Sequence, residues 1–223
     1  MNVTEAVKSR RSIRSFTDQA VDKDTLERIL ETARQSPSGG NVQPWNAVVV
    51  TGDPLKTLVA AIQEKLPLGP KGYEIEYDIY PKGLEGTYKD RQFGIGNAMY
   101  EALEISREDK MGRMMQMAQN FRGFDAPVQI FTYTPKYMGK PQWSDLGMWL
   151  QTIMLLLREE GLDSCPQEAW SMYGQTIKDQ LSIPDDHVFF CGMAIGYRNE
   201  DAVINNFNVP RASLEETIRF SGF

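Results

Sequence analysis

Three arginines fall within five residues, Arg10, Arg11 and Arg14, with Ser12 among them. Guanidinium groups this close repel one another unless an anion lies between them, and their planar donor forks suit a phosphate. Basic clusters are commonly no more than solvated faces. In a chain of net charge −6, however, such a concentration of cations favours an anion site. A second stretch, Ser36-Pro37-Ser38-Gly39-Gly40-Asn41-Val42-Gln43-Pro44-Trp45, is fixed as a loop by its prolines and glycines. Ser38, Asn41 and Gln43 offer uncharged donors and acceptors there, and the glycines let backbone N–H groups approach a flat polar heterocycle. The one histidine, His187, sits in the turn Pro184-Asp185-Asp186-His187 and is expected to be solvated. Its isolation leaves no His-based triad, no His-rich zinc site and few general-base schemes, so no metal is expected. Cys165 and Cys191 lie outside any C-x-x-C motif and read as buried free thiols.

The elements that must position these groups follow from periodicity. Asn2 and Glu5 form a capping box for a short helix, and Asp22 caps another carrying Leu26, Ile29, Leu30 and Ala33 on one face. Strands are expected over 45–51, 128–134 and 188–197, and helices over 54–66, 91–105, 109–119 and 173–181. The stretch Trp143–Gly161 is apolar nearly all round, which predicts a helix covered on every side, in part by a second subunit. Gly161 at its end suits a left-handed cap that lets Leu162 pack back on Leu157. Met111, Met114, Met115 and Ala118 form a stripe that reads as core. Residues 67–90, rich in Pro, Gly and Tyr, form an irregular excursion expected to act as a lid. The chain therefore reads as a single domain, 1–223, with a mixed sheet and helices on both faces. No G-x-G-x-x-G follows a strand, so a Rossmann site is not indicated. Acidic charge argues against nucleic acid as a partner, and no membrane span or signal peptide is apparent, so a cytoplasmic protein is expected.

Six motifs then occur in order: Arg10-Arg11-Ser12-Ile13-Arg14, the 36–45 loop, Asp145-Leu146-Gly147 with Gln151, Cys165-Pro166-Gln167-Glu168, Gly196-Tyr197 and Pro210-Arg211. Over nearly its whole length the chain resembles the FMN-dependent nitroreductase family, and within it the branch that reduces nitrobenzoates and dinitroanilines. The resemblance implies an α+β fold, a three-layer α-β-α sandwich with a mixed central sheet, in an intertwined homodimer with FMN at the interface. It implies that Arg10, Arg11, Ser12 and Arg14 hold the FMN phosphate and ribityl chain, with Arg211 as a further phosphate ligand. Val209 stands where the family often has another basic residue. Pro37, Ser38, Gly39 and Asn41 are implied to come from the partner subunit onto the flavin ring. Pro166, Gln167 and Glu168 would flank the flavin N5, and Asn120 matches an amide at the pyrimidine end.

The activity implied is NAD(P)H-dependent reduction of a small nitroaromatic substrate, by ping-pong hydride transfer through the flavin N5. Electrons come from NADH or NADPH, and the protein needs no acid–base triad of its own. Phe124, with Tyr88 and Trp170, is expected to wall the substrate slot, since flat aromatics need stacking partners. Two alternatives are an FMN-dependent reductase of the same fold acting on quinones, enones or halogenated aromatics, and a non-enzymatic flavin-binding dimer.

Overall fold

A computed structural model describes all residues 1–223. In chain order the elements are α1 (Val3–Ser9), α2 (Lys23–Ala33), β1 (Asn46–Thr51), α3 (Gly52–Gln63), α4 (Gly86–Ala102), α5 (Lys110–Ala118), β2 (Val128–Pro135), α6 (Lys140–Glu159), β3 (Asp163–Gln167), α7 (Gly174–Leu181), β4 (His187–Gly196) and α8 (Leu214–Thr217). The two predicted N-caps are present. The Asn2 side chain accepts from the Glu5 N–H while the Glu5 carboxylate accepts from the Asn2 N–H, and Asp22 accepts from the Thr25 N–H.

The sheet has the order β1-β2-β4-β3, with every named strand antiparallel to its neighbour. Its mixed character reduces to one parallel bridge, Ser12 with Ser164, through which residues 12–17 lie along the outer side of β3. On one face α2 and α6 pack Leu26, Ile29, Leu150, Ile153 and Leu157 against Ile130, Met193 and Ile195. On the other, α3 and α7 bring Leu58, Ile62 and Ile177 against Phe131, Trp170 and Phe189. These are the three layers of the sandwich.

β3 carries no periodic signal in the sequence. Asp163-Ser164-Cys165-Pro166-Gln167 has one small apolar residue and a proline, yet four of the five are buried. Burial on both faces and pairing with β4 make it a strand, which no local pattern records.

The central helix α6 begins three residues before the expected start, with Pro141 in its first turn, and is about 30 Å long at 1.5 Å per residue. It stops as predicted. Gly161 sits at φ 73°, the Leu162 N–H donates to Leu157 O at 2.9 Å, and the Gly161 N–H donates to Arg158 O at 3.2 Å. Those are the two bonds of a Schellman motif. In the single chain, however, α6 is covered on one side only. Met148 is exposed and Gln151, Thr152 and Leu155 are half-buried on the other.

Further along, the methionine stripe also departs from expectation. Met111, Met114 and Met115 of α5 are exposed rather than core, and α4 buries no residue at all. These two helices pack on little of their own chain, so the apolar side chains that looked internal face outward. No helix of the fold is long and apolar enough to cross a membrane.

Gly192 in β4 lies opposite Gln167 and beneath Trp170, where an added Cβ would collide with the indole Cδ1. Trp170 is fully buried and rigidly packed, so Gly192→Ala is expected to cost about 1–3 kcal/mol of stability. Urea unfolding measures it, and an unchanged midpoint would contradict this packing.

Candidate functional site

The basic segment does gather into a cleft. Lys8, Arg10, Arg11, Ser12, Arg14 and Arg211 line a cavity of about 490 Å³, closed on its other sides by Ile95 of α4, Gln151 of α6 and the 204–209 segment. No aspartate or glutamate lines it. The arginines reach only backbone carbonyls: Arg11 Nη2 donates to Phe207 O at 2.9 Å, Arg14 Nη1 to Ser12 O at 3.2 Å, and Arg211 Nη1 to Pro210 O at 3.0 Å. Partial burial, and then the nearby Arg211 charge, pull the Arg10 pKa below its ordinary value. A cation made less comfortable by both its surroundings and a like neighbour is one that a bound anion would relieve. The donors present fit a phosphate.

The cleft is a property of long-range pairing. The Ile13 N–H donates to Ser164 O at 3.1 Å and the Thr17 N–H to Tyr197 O at 2.9 Å, which fixes residues 12–17 beside β3 and the end of β4. Ile13 is fully buried with Phe16, Phe124, Cys165 and Ala194, and so anchors the segment from below. Cys165 lies under the arginines. Burial raises its thiol to about 11, so it remains protonated at neutral pH. Burial raises Cys191 as well, and both cysteines are free.

At the far end of β3 a second group of predicted residues meets. Gln167 Nε2 donates to Asn120 O at 2.8 Å and its Oε1 accepts from Trp170 Nε1 at 3.2 Å. Pro166 is half-buried beside them. Glu168 has no hydrogen-bond or ionic partner, and desolvation of its carboxyl raises the pKa above the usual carboxylate range.

The 36–41 loop does not join either group within one chain. Pro37, Gly39 and Asn41 are exposed, Ser38 accepts from the Gln43 N–H, and the Gly39 N–H donates to Asp145 Oδ2 at 3.2 Å. Asp145 lies about 9 Å along α6 from Gln151 and does not line the cleft.

Two expected substrate-wall residues need correction. Phe124 is 3 % exposed and held in the core beneath the arginine segment, and Trp170 is 0 % exposed. Neither presents a ring face to a ligand. Phe124 also adopts φ 55°, between Gly123 and Asp125 in the same left-handed region, a turn that drives its ring inward. Tyr88 alone is on the surface, 67 % exposed on α4.

Part of the 67–90 excursion, expected to act as a lid, is tied down. Residues 73–77 are strapped to the body. Glu74 pairs with Lys65 and accepts from the Thr176 N–H at 2.7 Å, while Glu76 pairs with Lys178 at 3.0 Å, a lysine only 1 % exposed. Tyr77 donates to Phe190 O and packs edge-on against Trp143. His187 is not solvated either: it contacts Asp186 Oδ1 at 2.6 Å and packs against Tyr133.

A larger groove of about 690 Å³ lies between α3 and residues 122–127. Its cations, Lys56 and Arg122, are already paired with Asp53 and Asp125, so it lacks the unneutralised charge of the arginine cleft. No cluster of His, Cys, Asp and Glu has metal-ligating geometry. Lys8, Ile95, Asn205 and Phe207 were absent from the sequence-derived site. Lys8 adjoins the basic run and could have been included; nothing local marks the other three.

The nitroreductase family model matches residues 7–197. The chain is 33% identical over 217 residues to a 4-nitrobenzoate reductase of Pseudomonas putida, covering 97% of this chain and 94% of that one. It is 31% identical over 218 residues to a chloronitrobenzene nitroreductase of Comamonas testosteroni, covering 98% and 96%. Among solved structures, an FMN and NADPH-dependent nitroreductase NfnB from Sphigopyxis sp. strain HMH superposes with a TM-score of 0.98 at 49% identity, covering 100% of both chains. The three-layer sandwich with its cationic cleft is thus that of a flavoprotein reductase class. The chain belongs to the nitroreductase family.

The strap yields a prediction about pH. Burial alone would raise the Glu74 carboxyl, but bonds from Lys65 and from the Thr176 N–H and hydroxyl outweigh it and hold the pKa low. A carboxyl depressed by folding contributes stability above its unfolded value, near 4.5, and loses it as pH falls through the folded one. The stability gap between wild type and Glu74→Gln should therefore narrow from about pH 6 to about pH 3. A gap constant over that range would rule the ionised pair out.

Proposed function

We propose that the protein is an FMN-dependent reductase of nitroaromatic compounds that takes its electrons from NADPH or NADH and works as a homodimer. The observation that carries this reading is the cleft in which Arg10, Arg11, Arg14 and Arg211 stand without a carboxylate, in a chain of the nitroreductase family. Relatives that act on nitrobenzoate and chloronitrobenzene, together with a structural neighbour described as FMN and NADPH-dependent, support the substrate class and the cofactors.

In this reading Arg10, Arg14 and Arg211 hold the FMN phosphate, and the Ser12 hydroxyl and Arg11 meet the adjoining chain. FMN supplies the capacity to accept a hydride from the nicotinamide and pass it to the nitro group. The protein's part is to bind, orient and exclude water. Gln167, braced by Asn120 and Trp170, keeps the end of β3 rigid where the ring's reactive edge would lie. The unpaired Glu168 carboxyl beside it holds its proton to a higher pH than an ordinary glutamate. The loop of Pro37, Ser38, Gly39 and Asn41, which stands apart from its own chain's cleft, reaches the ring bound by the other subunit. The open side of α6 and the exposed methionines of α5 supply an apolar face for that contact, and Tyr88 supplies an aromatic one near the substrate.

Two outcomes are expected. Replacing both Arg10 and Arg14 by alanine removes two charge-assisted contacts of about 1.5–3 kcal/mol each, so FMN affinity should fall by about two orders of magnitude or more. A double variant that keeps its FMN through dialysis would remove the phosphate assignment. Anaerobic NADPH should bleach the yellow protein, and a nitroarene should restore the colour in a separate step. Steady-state double-reciprocal lines should then be parallel. Intersecting lines would mean that both substrates bind together, contrary to a single shared slot.

A further inference from the structure

We propose that Asn205 is a positioning residue for the anion site, setting the course of the Arg14 backbone and so the direction of its guanidinium; this rests on the phosphate reading above. Residues 12–17 follow the sheet only at Ser12, bridged to Ser164, and at Phe16, bridged to Arg198. Between those two points the backbone leaves the ladder, and the Arg14 N–H has no main-chain acceptor. Asn205 Oδ1 takes it at 2.8 Å. The Asn205 Nδ2 donates in turn to Ser15 O at 2.8 Å and to Asn199 O at 2.9 Å. All three bonds are to backbone, and the residue is 3 % exposed while still lining the cleft.

That pattern joins the arginine segment, the turn after β4 and the far wall of the cleft through one side chain. Ser15 O and Asn199 O have second donors in the Asn199 and Ala202 N–H groups, but the Arg14 N–H has no other acceptor. Turning the Asn205 amide away leaves that N–H and the buried amide itself unpaired, which holds it in a single geometry. Arg14, fixed at its N–H, folds its own guanidinium back to Ser12 O at 3.2 Å and so into the cavity. Asn205 itself carries no charge to offer a phosphate. Its effect on the anion is through Arg14.

The test compares FMN with riboflavin, which has the same ring and ribityl chain without the phosphate, by flavin-fluorescence titration of the full chain. In Asn205→Ala the FMN affinity should fall about tenfold, while riboflavin affinity changes by less than about twofold. Asn205→Ser, with a shorter polar side chain in the same space, is measured beside it in case the alanine variant does not fold. Parallel loss of both flavins, no loss of either, or failure of both variants to fold would overturn the inference and make Asn205 a purely structural residue. If wild type itself binds FMN no better than riboflavin, the phosphate reading fails first, and independently of Asn205.

Discussion

Asp163 is buried between two arginines, and the whole cationic wall is hung from that pairing. Its carboxylate meets Arg158 Nη1 at 2.8 Å and Arg198 Nε and Nη2 at 2.6 and 2.7 Å, with the side chain 2 % exposed. A lone carboxylate at that depth would be untenable, and removing one partner from a buried pair typically costs about 3–5 kcal/mol. Arg158 ends α6 and also donates to the Ser9 hydroxyl at 3.3 Å, Arg198 follows β4, and Asp163 begins β3. One charge network therefore fixes where α1 ends relative to three other elements. The next residue, Ser164, is the one that Ser12 and Ile13 pair with. The course of Arg10 to Arg14 follows from there.

The network also divides the arginines into two populations. Arg158 and Arg198 are neutralised inside the fold. Arg11, Arg14 and Arg211 are left with carbonyl partners only, which offset the desolvation of a guanidinium but not its charge, and the Arg10 guanidinium has no hydrogen-bond partner. The acid that would quench them is spent behind the cleft, not in it. Phosphate binding needs that separation, because an acidic side chain within reach would compete with the ligand for the same donors.

How much of this was legible in the sequence varied with the physics of each element. The arginine cluster was visible because like charges packed within five residues are anomalous wherever they fold. The caps of α1 and α2 and the Schellman end of α6 were visible because they are written in consecutive residues. β3 was not, since Asp163–Gln167 is a strand only through its partners and its burial. The incomplete cover of α6 within one chain was legible because its stretch is apolar on more sides than a single small domain covers. The methionine stripe on α5 was legible as hydrophobic but not as facing outward, since periodicity tells that a face is apolar and not what covers it. Phe124 was misread for a related reason. A flat substrate needs a stacking partner and Phe124 is an aromatic of the right kind, but three successive left-handed residues turn its ring beneath the arginines. Asn205 was invisible, because an asparagine between Ile204 and Asn206 has no local signature and acts across nearly two hundred residues of separation.

The central claim is that the arginine cleft holds a fully ionised phosphate. Phosphorus NMR of the FMN-loaded protein across about pH 5 to 8 reads this directly, because the second ionisation of a free phosphate monoester falls near pH 6. Held by Arg10, Arg14 and Arg211, the phosphate should stay dianionic, with one resonance that does not shift across the range. A resonance that titrates with a midpoint near 6, like that of free FMN, would contradict the account.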